Sequence, residues 1–379
     1  MSQYDFVIIG AGASGLLLAD AMGKDPFFSD KAILVLEKDP KTQNDRTWCF
    51  WENGVGEFDA LLSKSWPKIY FAGQNMELTT PIAPYTYKMI RGIDFYKTYL
   101  GHLKLYANIT VTTAEVLELK EQPDGAEVRT KTGTFKTKQV FNSVFDYNNI
   151  ISQQRYPVLQ QHFLGWFVTT EHPIFNDDVA TFMDFSIPQK GNTRFMYVLP
   201  FSKNEALVEY TLFSATTLSK AEYEKAITTY LLEKDAGAYD ITEVEQGNIP
   251  MTCYGFSQQN SAHIFNIGIA GGWAKASTGY TFMSTHKKVK TLLAHLKKGK
   301  KPNQLKNKNK FWYYDLLLLD ILYHNNHLGS GIFESLFKKI APQHVFRLLD
   351  EETSFLEDIK IMSAPRPLPF IKALLKRIF

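Results

Sequence analysis

Apolar positions along the chain switch between two periods. Residues 4–9, YDFVII, and residues 33–39, ILVLEKD, are near-continuous apolar runs of strand length, the pattern of strands covered on both faces. LLLADAM, between them, continues as a helix. Strand, helix and strand in that order predict a parallel sheet with helices packed on it. DFYKTYLGHLKLY (94–106) has helical spacing. ITVTTAEVLELKEQ, AEVRTKTG and TFKTKQVFNSVFD then alternate in strand fashion, broken at Pro123-Asp124-Gly125 and at Gly133. They predict a small hairpin sheet laid over the parallel one, with QVFNSVFD returning to the main sheet.

From about 156 to 215 the alternation resumes in FLGWFVTT, VATFMDFSI, RFMYVLPF and ALVEYTLF, which predict one antiparallel sheet. Residues 66–88, rich in Pro, Tyr and Thr, form an excursion of strands and loops. SKAEYEKAITTYLLEK (219–234) is a helix with Ser219 as N-cap and Glu222 three residues on. HIFNIGIAGG (263–272) is a strand entering a glycine turn, and 273–296 read as one long helix. The fold class is α/β. A Rossmann-type dinucleotide-binding part comprises 1–65, 89–150 and 260–296; an antiparallel-sheet substrate part comprises 66–88 and 151–259; 297–379 form a helical C-terminal region.

Composition narrows the function. The 379 residues are 45% hydrophobic and 21% charged, a globular balance, and a net charge of +3 provides no basis for nucleic-acid binding. Aromatic content is high at 14%, which serves either a packed interior or an apolar substrate and membrane-facing surface. Cys49 and Cys253 have no metal-ligand spacing and point to a reducing compartment, so no metal is expected. The N-terminus enters a strand without a basic flank, as in a cytoplasmic chain with no signal or transit peptide. No apolar run reaches the ~18–20 residues of a transmembrane helix. The lysines at 287–310, the stretch FWYYDLLLLDILY and the tail FIKALLKRIF are candidates for peripheral membrane contact, or else a solvated face and core helices.

Gly10, Gly12 and Gly15 follow the first strand and open the helix. Glycines there let the backbone turn tightly and approach a pyrophosphate, while the helix N-terminus supplies amide donors. Glu37, 22 residues after Gly15, ends the second strand where a carboxylate accepts bonds from a ribose diol. The late segment GIAGGWAKASTGYTF (268–282) has no second βαβ unit around it, which favours FAD over NAD. Gly271, Gly272, Ser277, Thr278 and Gly279 are its candidate flavin contacts.

NDRTWCFWE (44–52) places Trp48 and Phe50 on one strand face and Cys49 and Trp51 on the other. These rings either pack the core or form an apolar wall that stabilises a cation. Arg46 either serves phosphate or flavin or pairs with Asp45. In ALVEYTLFS (206–214) Glu209 interrupts an apolar strand. A carboxyl buried there is raised in pKa and becomes a candidate general acid; exposed, it is an ordinary strand glutamate. Asp184 in FMDF is a similar, weaker case.

GAGASGLLLA, DRTWCFW, FLGWFV, FMDF, MYVLPFS, LVEYT and GGWAKASTGYTF, in this order, resemble the lycopene β-cyclase family in its bacterial form. The resemblance covers nearly the whole chain. It implies closure of the acyclic ends of lycopene, or another carotenoid with such ends, into β-ionone rings. It also implies FAD, reduced for activity although the reaction has no net redox change, with NAD(P)H as electron source. The family's acidic glutamate maps onto Glu209. Tyr210 stands where plant relatives carry a second glutamate, and Ala276 where the family often has proline. Trp166, Asp184 and Tyr210 join Trp48, Phe50 and Trp51 as candidate pocket residues. EETSFLED (351–358) partly copies the plant motif but lies outside the strand after MYVLPFS. A flavin-dependent monooxygenase or reductase of the same fold, and a flavin-free isoprenoid-binding protein, are the alternatives.

Overall fold

The computed structural model describes residues 3–305 and 308–378. β1 (Gln3–Ile9) leads through the first glycine turn into α1 (Ala13–Lys24) and back to β2 (Ile33–Glu37). β3 (Thr47–Asn53), β4 (Lys64–Trp66), β5 (Lys68–Ala72), β6 (Glu77–Pro81) and β7 (Tyr85–Arg91) follow, then α2 (Gly92–Leu103). Next come β8 (Ile109–Thr113), β9 (Val116–Gln122), β10 (Gly125–Thr130), β11 (Thr134–Asn142) and the short α3 (Asn148–Ile151). β12 (Leu159–Thr170), β13 (Val179–Asp184), β14 (Thr193–Pro200) and β15 (Glu205–Ser214) precede α4 (Lys220–Glu233), β16 (Tyr239–Met251) and β17 (Ile264–Asn266). The chain continues as α5 (Phe282–Leu296), α6 (Lys310–His324), α7 (Gly329–Lys339), α8 (Pro342–Leu349), α9 (Phe355–Met362) and α10 (Pro367–Ile378).

Among the described residues the strands form three sheets. The first runs β8-β2-β1-β11-β10-β9, with β17 also on β11. Its β8, β2, β1, β11 and β17 are parallel, as the apolar runs of β1 and β2 predict; β8, expected in the hairpin series, is instead a parallel edge strand on β2. The hairpin strands differ from expectation: β9 and β10 continue this sheet instead of lying over it. β11 is long enough to do both tasks, pairing β10 through Thr134–Thr137 and β17 through Val140–Asn142.

The second sheet is β16-β12-β15-β14-β13-β5-β6, and β3-β7-β4 form a third. The second sheet is antiparallel except where β13 and β5 run parallel, a mixed edge that alternation alone does not disclose. β16, in the polar stretch DITEVEQGNIPM, was not anticipated: few of its residues are apolar, and its place is set by pairing with β12 from Leu159 to Thr170.

α4 begins in the expected capping box, with Ser219 and Glu222 each bonding the other's backbone amide. It covers one face of the second sheet, closing a core of Trp166, Tyr210 and Tyr223. The other face packs on α6, α7 and α8 through Leu316, Phe333 and Phe346. α6 packs as a core helix, the second of the two readings open to it: Phe311, Leu316, Leu319, Ile321 and Leu322 are buried, while Tyr313 and Tyr323 stay exposed. Among the basic residues expected at an interface, Lys287 pairs with Glu352 at 2.8 Å and Lys297 with Asp25 at 2.7 Å; Lys306 and Asn307, like Phe379 in the tail, lie outside the described residues. No helix among the described residues is long and apolar enough to cross a membrane.

Candidate active site

The first glycine turn is shaped by close approach. Gly10 has φ +95°, a conformation open to glycine. At Gly15 a Cβ would lie 1.9 Å from the Gly10 carbonyl oxygen, so the helix can pack on the strand only with hydrogen there. Gly12 differs: nothing lies within 4 Å of where its Cβ would be, leaving an open face over the turn. α1 starts at that face with no side-chain cap and no acidic residue in its first turn. Its first amides are thus available to an anion. Glu37 braces the turn from the end of β2, its carboxylate accepting from Ala11 N–H at 2.6 Å and Asp39 N–H at 2.9 Å.

The late glycine segment folds onto the same place. Gly268, at φ +60°, packs so closely on α1 that a Cβ would be 2.5 Å from Ser14 Oγ. Its internal arrangement departs from expectation. The helix starts at Phe282 rather than 273, because Gly272 and Gly279 take φ +67° and +70° and the chain cannot become helical until past them. The Gly271 amide donates to Ile267 O and Gly268 O, and the Gly272 amide to Ile269 O, so neither is free for a flavin. Ser277 Oγ donates to Asp315 on α6 at 2.7 Å and turns away from the cavity described next. Thr278 and Gly279 do line it.

That cavity, about 330 Å³, lies between the late turn, the start of β3 and one face of the second sheet. Its aromatic wall comprises Phe163, Phe182, Phe195, Phe213 and Phe282 with Trp48. Glu209 projects into it from β15 and is only 7% exposed. Burial pushes its carboxyl up to about 8; the 2.5 Å bond that Oε1 accepts from Thr211 Oγ1 opposes this, and the charge of Glu245 adds to it. Glu209 is thus largely protonated at neutral pH.

Glu245, on β16, completes a second carboxyl in the same cavity. Gly165 on β12 pairs with Glu209 on one side and Glu245 on the other, so all three share one sheet face. A side chain at 165 would crowd this face, since a Cβ would come within 2.8 Å of Leu207 Cδ1. Glu245 is held by Thr47, whose N–H and Oγ1 donate to its two oxygens at 2.8 and 2.6 Å. Burial raises its pKa and the Thr47 bonds pull it back. The NDRTWCFWE segment is therefore tied directly to the acidic face. Sequence reading missed Glu245; the available signal was a carboxylate in a strand opposite a mid-strand glycine, legible only once β16 is paired.

The phenols and the thiol at the cavity stay neutral. Tyr197 shares a 2.6 Å hydrogen bond with Tyr87, and burial raises both phenols, as it does Tyr280 and the Cys49 thiol. Gln161 Oε1 and Thr278 Oγ1 line the cavity as buried atoms without a hydrogen-bond partner. Arg46 borders it and pairs with Asp45 at 2.9 Å, the second of its two expected uses.

The remaining candidates separate. Phe50 and Trp51 line an adjoining hollow that also holds Lys275, Lys288 and Glu351; Trp51 stacks on Phe346 and donates to Asp350 at 2.8 Å. Trp166 and Tyr210 face α4 on the reverse of the sheet. Asp184 shares that reverse face, pairing with Met196 and accepting from the Ser186 amide and from Tyr230 OH at 3.0 Å each. These five do not line the Glu209 cavity: Trp166, Tyr210 and Asp184 lie on the reverse face of the sheet, while Phe50 and Trp51, on the same faces as Trp48 and Cys49, lie further along β3 beyond the cavity.

A glycine-turn α/β layer set against a wide, mainly antiparallel sheet is the fold of a geranylgeranyl bacteriochlorophyll reductase-like protein from Thermoplasma acidophilum, with 11% identity, 98% of each chain covered and a TM-score of 0.62. A flavin-dependent brominase shares it at 14% identity, 99% of each chain and a TM-score of 0.58. Within this fold the chain belongs to the lycopene cyclase protein family, whose model matches residues 5–375. A lycopene beta-cyclase of Pantoea ananas is 24% identical over 295 residues, 74% of this chain and 71% of that one.

Proposed function

We propose that this protein is a lycopene β-cyclase, an intramolecular lyase that closes the acyclic ψ ends of lycopene into β-ionone rings by way of γ-carotene. The observation that carries this reading is the Glu209 carboxyl, 7% exposed and raised by burial, facing an aromatic-walled cavity. Glu209 donates its proton to C2 of the ψ end, leaving a tertiary cation at C1. The C5–C6 double bond attacks, C1–C6 forms, and the cation moves to C5. Loss of the C6 proton restores the double bond, so the substrate is isomerised without net oxidation. Ring faces of Trp48, Phe163 and Phe195 would stabilise the cation without offering a nucleophile.

The residues fit FAD as cofactor. The open face at Gly12, the uncapped start of α1 and Glu37 suit its diphosphate and ribose, and the unpartnered Gln161 and Thr278 offer polar contacts at the cavity. In reduced form, with NAD(P)H as electron source, it would supply negative charge beside the developing cation. Peripheral membrane attachment also belongs to this reading, supported by Leu368, Ile371, Leu374 and Leu375 left exposed on α10 beside its basic residues.

Expression in lycopene-accumulating cells should convert the pigment to γ- and β-carotene. With purified enzyme in heavy water, one deuterium should enter at C2 of each ring. Oxygen uptake or NAD(P)H oxidation stoichiometric with product would instead establish a monooxygenase or reductase.

A further inference from the structure

We infer that the apolar chamber beneath the C-terminal helices receives a short stretch, a few carbons, of the polyene chain behind the reacting end. This inference rests on the proposed cyclase reading and extends it to a part of the molecule remote from the acid. The chamber, about 110 Å³, is enclosed by α6, α7, α8, α9 and α10 together with β13. Phe182, Met183 and Thr278 form part of its wall and part of the wall of the Glu209 cavity. The two spaces are therefore neighbours across one layer of side chains.

Its chemistry selects the occupant. Leu318, Leu336, Leu348, Met362 and Phe370 line it, and each is half-buried rather than buried although helices surround it. Apolar space left unfilled among packed helices is destabilising and is relieved by an apolar guest. Apart from Thr278 Oγ1, on the side shared with the Glu209 cavity, the main polar groups on the wall are already hydrogen-bonded. Asp315 takes Lys275 Nζ at 2.9 Å and Ser277 Oγ at 2.7 Å, and Tyr314 OH donates to Asp358 at 3.0 Å. Such a lining offers little to a sugar, a phosphate or a carboxylate. The chamber's volume suits a short hydrocarbon segment, and the part of α10 that carries Phe370 also leaves Leu368 and Ile371 exposed at the surface.

The test measures binding separately from turnover. Flavin-loaded enzyme in detergent micelles is titrated with lycopene, followed by tryptophan quenching, and assayed for product. Leu318→Trp and Leu348→Trp, which fill the chamber, should weaken lycopene binding at least tenfold and lower product in step. A short isoprenoid probe with a single ψ end should still bind as in wild type. Flavin content and circular dichroism report folding. Should both variants misfold, Phe370→Trp at the half-buried rim replaces them with the same expected loss. Folded variants that bind lycopene like wild type overturn the inference. If wild type binds lycopene through the chamber yet forms no ring, the cyclase reading fails and the binding site stands.

Discussion

β15 presents two acidic or phenolic neighbours, Glu209 and Tyr210, to opposite faces of one sheet, and they meet opposite treatment. On the reverse face Tyr210 OH accepts from Arg194 Nη1 at 2.8 Å, and nearby Asp184, fully buried, accepts from a backbone amide and two hydroxyls. Every charge there is answered and α4 closes the space. On the front face Glu209 has one hydroxyl donor, a like-charged neighbour in Glu245 and open volume before it. Both faces bury carboxyls; what separates them is satisfaction. A buried acid supplied with donors stabilises its surroundings, whereas one denied them keeps its proton and can give it away.

The largest effect expected from this contrast comes from Glu209→Gln. Cyclisation should fall by at least about a thousandfold, at the upper side of what removing a positioned acid costs, while the protein stays folded and binds flavin. Asp184→Asn should do the reverse. It leaves donors of the Ser186–Tyr230 cluster mismatched, lowering stability by about 1–3 kcal/mol with turnover per folded molecule nearly unchanged. Thermal unfolding and product assays on the two variants check this. Interchanged outcomes would place the chemistry on the wrong face.

A smaller effect is expected from pH and from Glu245. The Glu209 carboxyl rises from 4.5 to about 8 on folding, so between those values the folded state holds a proton the unfolded chain has lost. Stability therefore declines as pH increases across that window, by on the order of a few kcal/mol, and turnover falls above about pH 8 as the acid ionises. Glu209→Gln should be more stable than wild type at pH 9 and equal to it at pH 4. Charged and titratable groups lining this cavity are Asp45, Arg46, Cys49, Tyr197, Glu245 and Tyr280. Of these Glu245 is the one whose charge raises Glu209. Glu245→Gln should move the alkaline limb of kcat to lower pH and reduce its plateau about tenfold, since Thr47 also loses its paired acceptor. An unmoved limb would reduce Glu245 to a brace for β3.

Much of this contrast was legible in residue order. The parallel sheet, the capping box of α4 and the strand carrying Glu209 follow from local periodicity, and alternation along LVEYT alone already sets Tyr210 opposite Glu209. What local periodicity could not supply was lateral pairing. FLGWFV shows Trp166 as its most conspicuous residue, yet register places its neighbour Gly165 between the two glutamates. β16 hides in a polar stretch because its inward residues meet a cavity rather than a hydrophobic core. The late turn reads as helix because Ala274, Lys275 and Ala276 favour one and continue into 282–296, and the positive φ at Gly272 and Gly279 rules it out.

Tyr210→Phe is the finest probe of the division between faces. It removes the hydroxyl that Arg194 Nη1 reaches while leaving the ring, which the guanidinium approaches to 5.9 Å, and the bond from Arg194 Nε to Asn192. Arg194 is 5% exposed, so the lost partner is not replaced by bulk water and about 1 kcal/mol of stability should go. The substitution leaves the front face untouched: Glu209 keeps Thr211, and the cavity keeps its walls. kcat and its pH dependence should accordingly stay within about twofold of wild type, the small change expected when an altered group lies outside the reacting cavity. A large drop in kcat at unchanged stability would mean that the reverse face reaches the substrate through the strand, and satisfaction of buried charge would no longer distinguish structure from site.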